Sequence, residues 1–279
     1  HVGEITSLCA ICQPTHGLIT NVGKAHLEGF GSFEGVKKAK GELYDYLQDH
    51  NGTLFLQGDN NYLVEMAAAR NISKIVRYGF SAFNDVVGRL MTANPYLSIA
   101  WHQKQESVHY EVATHLTGSY NMENFLAAIS TGLHFKISPT LINQGLSGYV
   151  PQNNRSQITK TARNTVVADF YNANASSMAA ALDNMGVLTA DTKVVILGDM
   201  FEMGDDAFIE HKHIIEKALQ LNFSRLIFVG QEFYKQKSAV AEFYETTAQA
   251  QDAVSTVTDS TVLLKASRGM AFEHLLANL

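Results

Sequence analysis

The chain has 279 residues, 46% of them hydrophobic and 17% charged, an ordinary globular balance with room for two domains. Its formal net charge of −6 argues against a nucleic-acid binder, whose domain would normally be basic. No run approaches the apolar length of a membrane span, and the first residues do not read as a signal peptide; a soluble, cytoplasmic protein is expected.

Residues 4–12 have an amphipathic helical pattern that Pro14 ends. Cys9 and Cys12 lie inside it with C-x-x-C spacing and no second such pair. Two reduced, packed thiols are therefore expected rather than a redox pair or half a metal site. Leu18–Val22 reads as a buried strand bounded by Gly17 and Gly23. A polar loop carrying His26 and Glu28 follows, then a helix from about Phe33 to Leu47 with Val36, Ala39, Leu43 and Leu47 on one face. Strand, Gly-rich loop and helix is where open α/β sheets place their chemistry, because the strand's C-terminal end and the helix N-terminus face one crevice. By spacing alone, Lys40 on this helix is one of three solvated lysines.

Strands are expected at 52–56 and 74–78 around a helix at 62–70, a βαβ alternation that implies a parallel sheet. From Asp85 to Thr114 the pattern changes to alternation without helix, and antiparallel strands are expected around Val86-Val87, 96–101 and 108–112. Asn121 and Asn124 open a helix running to about Phe135 and project from one side of its first turn. Carboxamides supply both the donor and the acceptor that an adenine edge requires, although helix capping would also explain them. A short helix at 140–146 and the linker candidate Gly148-Tyr149-Val150-Pro151 close this half.

The second half alternates regularly. Strands at 165–168, 194–197, 226–229 and 262–264 are each followed by a polar loop, with helices at 176–188, up to Leu221, and at the C-terminus. This predicts a doubly wound, Rossmann-like sheet with its loops gathered on one edge. No G-x-G-x-x-G occurs, so no dinucleotide cofactor is inferred.

Three sets of residues carry a resemblance. The segment NVGKAHLEGFGSFEGVKKAKGELY at 21–44 resembles the central-domain motif of the Mur ligase family. Gly118, Asn121, Asn124, Ala127 and Ala128 resemble its adenine-binding motif G-x-H-N-x-x-N-x-x-A-A, with Tyr120 at the usual His. DFYNANASSM, LGDMFEMG and LLKASRGM resemble the last-domain motifs of the branch that adds D-alanyl-D-alanine, with Ala168 and Ala175 where Asp and Pro are usual. The resemblance implies part of a Mur-ligase central ATPase domain at 1–148, then a complete Rossmann-like C-terminal domain at 149–279. It implies ATP and Mg2+, with UDP-N-acetylmuramoyl-tripeptide and D-alanyl-D-alanine as substrates, in a monomer.

Residue by residue, the resemblance makes His26 a Mg2+ ligand and Lys40 the family's carbamylated lysine, an oxygen donor suited to that cation. It gives Asn121 and Asn124 to adenine, Asp169 to ribose and Arg155 to the phosphates. Asn172, Asn174, Lys265, Ser267 and Arg268 go to substrate, the last three as candidates for the dipeptide's carboxylate. The phosphate loop G-x-x-x-x-G-K-[ST] occurs nowhere in the chain, since Gly23-Lys24 is followed by Ala25. The expectation is therefore a C-terminal piece of a ligase, inactive alone; the alternative is a ligase-derived binding or scaffolding module that has lost catalysis.

Overall fold

A computed structural model describes residues 1–23 and 32–279. The chain divides into two compact units. One holds 1–92, 97–114 and 119–149, and the other holds 93–96, 115–118 and 150–279.

The first unit begins with α1 (Glu4–Cys12) and β1 (His16–Leu18). The strand ends sooner than the apolar run suggested. Ile19 and Val22 are buried, but Ile19–Gly23 lies outside the sheet. α2 (Phe33–Asp49) starts where the Ser32 hydroxyl accepts the Gly35 N–H and buries Val36, Ala39, Tyr44 and Leu47. β2 (Thr53–Gln57), α3 (Asn61–Ala68), β3 (Lys74–Gly79), β4 (Val86–Ala93), β5 (Leu97–Gln103) and β6 (Tyr110–Ala113) complete a sheet whose strand order follows the chain, β1 to β6. β1, β2 and β3 run parallel and β5–β6 antiparallel. Val86 and Val87 pair parallel with Tyr78 and Gly79, so β4 also joins the parallel part of the sheet. The Asp59 carboxylate accepts the Phe80 and Ser81 N–H groups at this connection. α4 (Met122–His134) packs on β2 and β3, and α5 (Pro139–Gly148) on β6.

Glu42 ties α1 to α2. Its carboxylate accepts the N–H groups of Gly3 and Thr6 and the Thr6 hydroxyl. Cys9 is buried on that contact, whereas Cys12 is exposed, so only one of the two free thiols is packed.

The second unit comprises β7 (Gln157–Lys160), β8 (Asn164–Ala168), α6 (Ala175–Val187), β9 (Lys193–Gly198), α7 (Ala207–Gln220), β10 (Arg225–Val229), α8 (Gln231–Tyr234), β11 (Glu242–Tyr244), α9 (Thr247–Ser255), β12 (Ser260–Lys265) and α10 (Glu273–Leu276). Its strand order is β11-β10-β9-β12-β8-β7, parallel except for the antiparallel β7–β8 pair. The alternate residues Val166/Ala168, Val194/Ile196, Ile227/Val229 and Val262/Leu264 form one core with Ala250 and Val254 of α9 and with Phe272 and Leu275. This follows from the period of two in a strand and the i,i+4 spacing of a helix face. The sheet has both faces buried, hence the near-continuous apolar runs of its strands. β7, β11 and α9 were not expected from the sequence, and the terminal helix is a single turn.

Candidate active site

In the second unit the parallel strands deliver their following loops to one edge. β8 ends before Asp169, β9 before Asp199, β10 before Gly230, and β12 ends with Lys265. The chain inserts β12 between β8 and β9, a reversal of winding that opens a crevice at the carboxyl ends of the strands. It also sets Lys265 beside Asp169 although they are 96 residues apart. The Lys265 Nζ donates to Asp169 Oδ2 at 2.7 Å and lies near the Asp169 and Asn172 carbonyl oxygens at 3.4 and 3.3 Å. Lys265 is 2% exposed and is the last strand residue, not part of the loop with Ser267 and Arg268. The other Asp169 oxygen accepts the Ser156 N–H at 3.0 Å.

That bond fixes the segment carrying Arg155. Asn154 and Ser156, on either side of it, both have left-handed φ values of 55° and 49°, uncommon for residues with a Cβ. The exposed Arg155 guanidinium lies 3.8 Å from the Tyr171 ring centroid, and that of Arg268, also exposed, lies 5.2 Å from the same ring. Ser267 is buried, and its hydroxyl accepts the Phe201 N–H. Asn172 is exposed, its Oδ1 accepting the Ala173 N–H. Asn174 is the N-cap of α6, forming a reciprocal capping box with Ser177. Asp169, Arg155, Lys265, Arg268 and Asn172 are thus brought together around Tyr171 and the end of β12, while the Asn174 side-chain oxygen is spent on a helix end.

A second centre escaped the sequence reading. The buried Asp199 carboxylate accepts the N–H groups of Glu232 and Phe233 at 2.9 and 3.0 Å, capping α8. His211, fully buried on α7, accepts the Met200 N–H at Nε2 and bonds the Ala207 carbonyl through Nδ1. The ring is therefore neutral with its proton on Nδ1, and burial pushes its pKa down. Burial likewise raises the Asp199 pKa, against its two backbone hydrogen bonds and the neighbouring imidazole. Asp199, Phe201, Glu232, Thr246 and Met270 line a cavity of about 460 Å3 at this edge. The signal was present in the sequence: Gly-Asp at a strand end, with His211 one turn into the next helix.

In the first unit the Lys40 Nζ donates to the Asn21 carbonyl at 2.8 Å, so the side chain turns back toward the segment after β1. Desolvation lowers its pKa, which favours the neutral amine that carbamylation requires. His26, its expected partner, lies outside the described residues. Among the described residues no cluster of three or more His, Cys, Asp or Glu is placed to hold a metal, so from the other side chains Lys40 alone represents the expected Mg2+ site. Asn121 sits at the N-cap of α4, and Asn124 donates to its Oδ1 at 3.2 Å. The two carboxamides expected to face adenine are thus in contact with each other, Asn121 buried and Asn124 exposed.

Two parallel-rich α/β units, the second with a charged crevice at its strand ends, define a two-unit α/β protein. The chain belongs to the Mur ligase family: residues 1–132 match the Mur ligase middle domain, and residues 154–273 match the Mur ligase, glutamate ligase domain. It is 29% identical over its whole length to the UDP-N-acetylmuramoyl-tripeptide--D-alanyl-D-alanine ligase of Escherichia coli (strain K12), and spans 63% of that protein. Among solved structures it superimposes in full on MurF from Acinetobacter baumannii, with a TM-score of 0.86, 27% identity and 62% of that chain covered. MurF ligase from Thermotoga maritima, solved in complex with ADP, shares the fold with a TM-score of 0.85 at 19% identity, 64% of it covered. Among the described residues no helix is long and apolar enough to cross a membrane.

Proposed function

We propose that these residues form part of an ATP-dependent amide ligase of peptidoglycan synthesis, working in the cytoplasm as a monomer. It would join D-alanyl-D-alanine to UDP-N-acetylmuramoyl-tripeptide. The tripeptide's carboxylate attacks the γ-phosphorus of ATP, ADP leaves, and an acyl phosphate forms. The dipeptide's amine then attacks the acyl carbon, expels inorganic phosphate and loses a proton. Catalysis of this kind rests on positioning and charge neutralisation.

In the first unit, Asn121 and Asn124 are assigned to adenine, and Lys40, as its carbamate, to Mg2+ together with His26. Bound Mg2+ would neutralise phosphate charge. In the second unit, Asp169 is assigned to ribose, Arg155 to phosphate, and Asn172, Asn174, Ser267 and Arg268 to the dipeptide. The buried Lys265 would serve by fixing Asp169. The observation that carries the reading is the match of a named D-alanyl-D-alanine ligase across 100% of the chain. The second reading is a non-catalytic ligase-derived module, against which stands the presence of His26, Lys40 and Asp169. With no loop of backbone N–H groups for a triphosphate, these residues alone should bind ATP no tighter than about millimolar and turn nothing over.

Titration with D-alanyl-D-alanine tests the substrate assignment. The backbone amides of Ser267 and Arg268 should shift in a nuclear magnetic resonance spectrum, and L-alanyl-L-alanine should leave them in place. Equal responses to both dipeptides, or none to either, would remove the assignment.

A further inference from the structure

The sequence motifs gave Arg155 and Arg268 to two different ligands, yet both lie on one tyrosine. Their guanidinium carbons are 3.8 and 5.2 Å from the Tyr171 centroid, which keeps the two charges within about 9 Å of each other, inside the Debye length at ordinary ionic strength. Neither guanidinium has an ion-pair or hydrogen-bond partner among the described residues. Asp169, the carboxylate that holds the Ser156 N–H beside Arg155, is already paired with Lys265. Two uncompensated like charges on one exposed ring repel unless something anionic comes between them.

The backbone is built to hold them there. Arg155 lies between two left-handed non-glycine residues, and the Ser156 N–H is fixed by Asp169. Arg268 begins a 3-10 turn three residues after Lys265, which holds the same Asp169. Adjacent Gly269 lies so close to Phe201 that an added Cβ would sit 2.7 Å from that ring. One carboxylate therefore ties down both arginine-bearing segments, and one aromatic face collects both side chains. Stacking on a ring leaves the edge N–H groups of a guanidinium free to bind an oxyanion.

We infer that Tyr171 is a positioning residue that joins Arg155 and Arg268 into a single receptor for a phosphate-class dianion. This takes the Arg268 guanidinium from the dipeptide, to which the ligase reading gives it, and rests on that reading only for which phosphate is bound in turnover, the transferred γ-phosphoryl group or the phosphate leaving the acyl carbon. The clamp places one arginine from each end of the unit on the same anion, so the two motifs act as one site.

The test is a titration of the 279-residue chain with inorganic pyrophosphate, followed by calorimetry and by the Nε–Hε resonances of the two arginines. In the parent both resonances should move together along one binding curve. Tyr171→Phe, which keeps the ring, should bind within about twofold of the parent. Tyr171→Leu should bind about tenfold more weakly with an unchanged melting temperature, and Arg268→Gln should weaken binding while displacing the Arg155 resonance. A parent in which pyrophosphate moves neither resonance or only one would overturn the inference. So would a Tyr171→Leu protein that binds like the parent, or a Tyr171→Phe protein as weak as the leucine variant. Pyrophosphate binding through both arginines without D-alanyl-D-alanine binding would uphold the clamp and count against the ligase assignment.

Discussion

Lys265 and Asp169 form an ion pair at 2.7 Å with the lysine side chain 2% exposed and the aspartate 13%. The pair joins the last residue of β12 to the first residue after β8. It is the one ionic link between the DFYNAN and LLKASRGM segments, and the Asp169 oxygen left over fixes the loop of Arg155.

Removing one partner of such a pair strands a charge away from water. Lys265→Met is therefore expected to cost roughly 3–5 kcal/mol of stability in urea unfolding. The double variant Lys265→Met/Asp169→Asn should recover most of that loss, because no uncompensated charge remains. A single variant within about 0.5 kcal/mol of the parent would show that the pair is not structurally coupled.

Gly230 has φ +123°, and a Cβ there would lie 2.3 Å from the Asp199 carboxyl carbon. Gly230→Ala should strain the backbone and push Asp199 off the N–H groups of Glu232 and Phe233, lowering stability by about 1–3 kcal/mol. Gly145→Ala on α5 serves as the control, since its Cβ meets nothing within 4 Å; it should be neutral or stabilising by about 0.4–1 kcal/mol. Equal melting temperatures for the two variants would contradict the geometry.

Glu123, between the two asparagines of α4, has its pKa raised by burial and by the Asp59 charge. Its neutral form is favoured by folding, so its contribution to stability is present below the unfolded pKa of about 4.3 and is lost as pH rises through the folded value. Glu123→Gln should make the protein more stable than the parent at pH 7, with the advantage fading as pH falls to about 4. Urea midpoints across that range are the measurement, and a difference independent of pH would be the contrary result.

The sequence was most readable where patterns are long. The 3.6-residue period of Val36, Ala39 and Leu47 located α2, and the apolar runs before Asp169, Asp199 and Gly230 located β8, β9 and β10. It failed at β11, three half-buried residues on a sheet edge, too short for alternation to show. α9 has a usable signal in the sequence, since Thr246 and Gln249 form a capping box before Ala250 and Val254. Ile19 and Val22 are buried apolar residues without being strand: they flank the exposed Thr20 and Asn21 where the backbone has left the ladder. For the site, motifs picked out Asp169, Arg155, Lys265 and Arg268 individually. Their joint arrangement depends on β12 lying between β8 and β9 and on Tyr171 receiving two arginines, which no local pattern encodes.

Set within a complete ligase, the chain should support turnover that depends on D-alanyl-D-alanine. The direct measurement replaces the matching segment of the Escherichia coli relative with these 279 residues. Phosphate release from ATP is then assayed with UDP-N-acetylmuramoyl-tripeptide, with and without D-alanyl-D-alanine. The expected result is release that requires the dipeptide and falls at least about a hundredfold on Asp169→Ala. A folded chimaera that binds ATP yet releases phosphate no faster with D-alanyl-D-alanine than without it would contradict the claim.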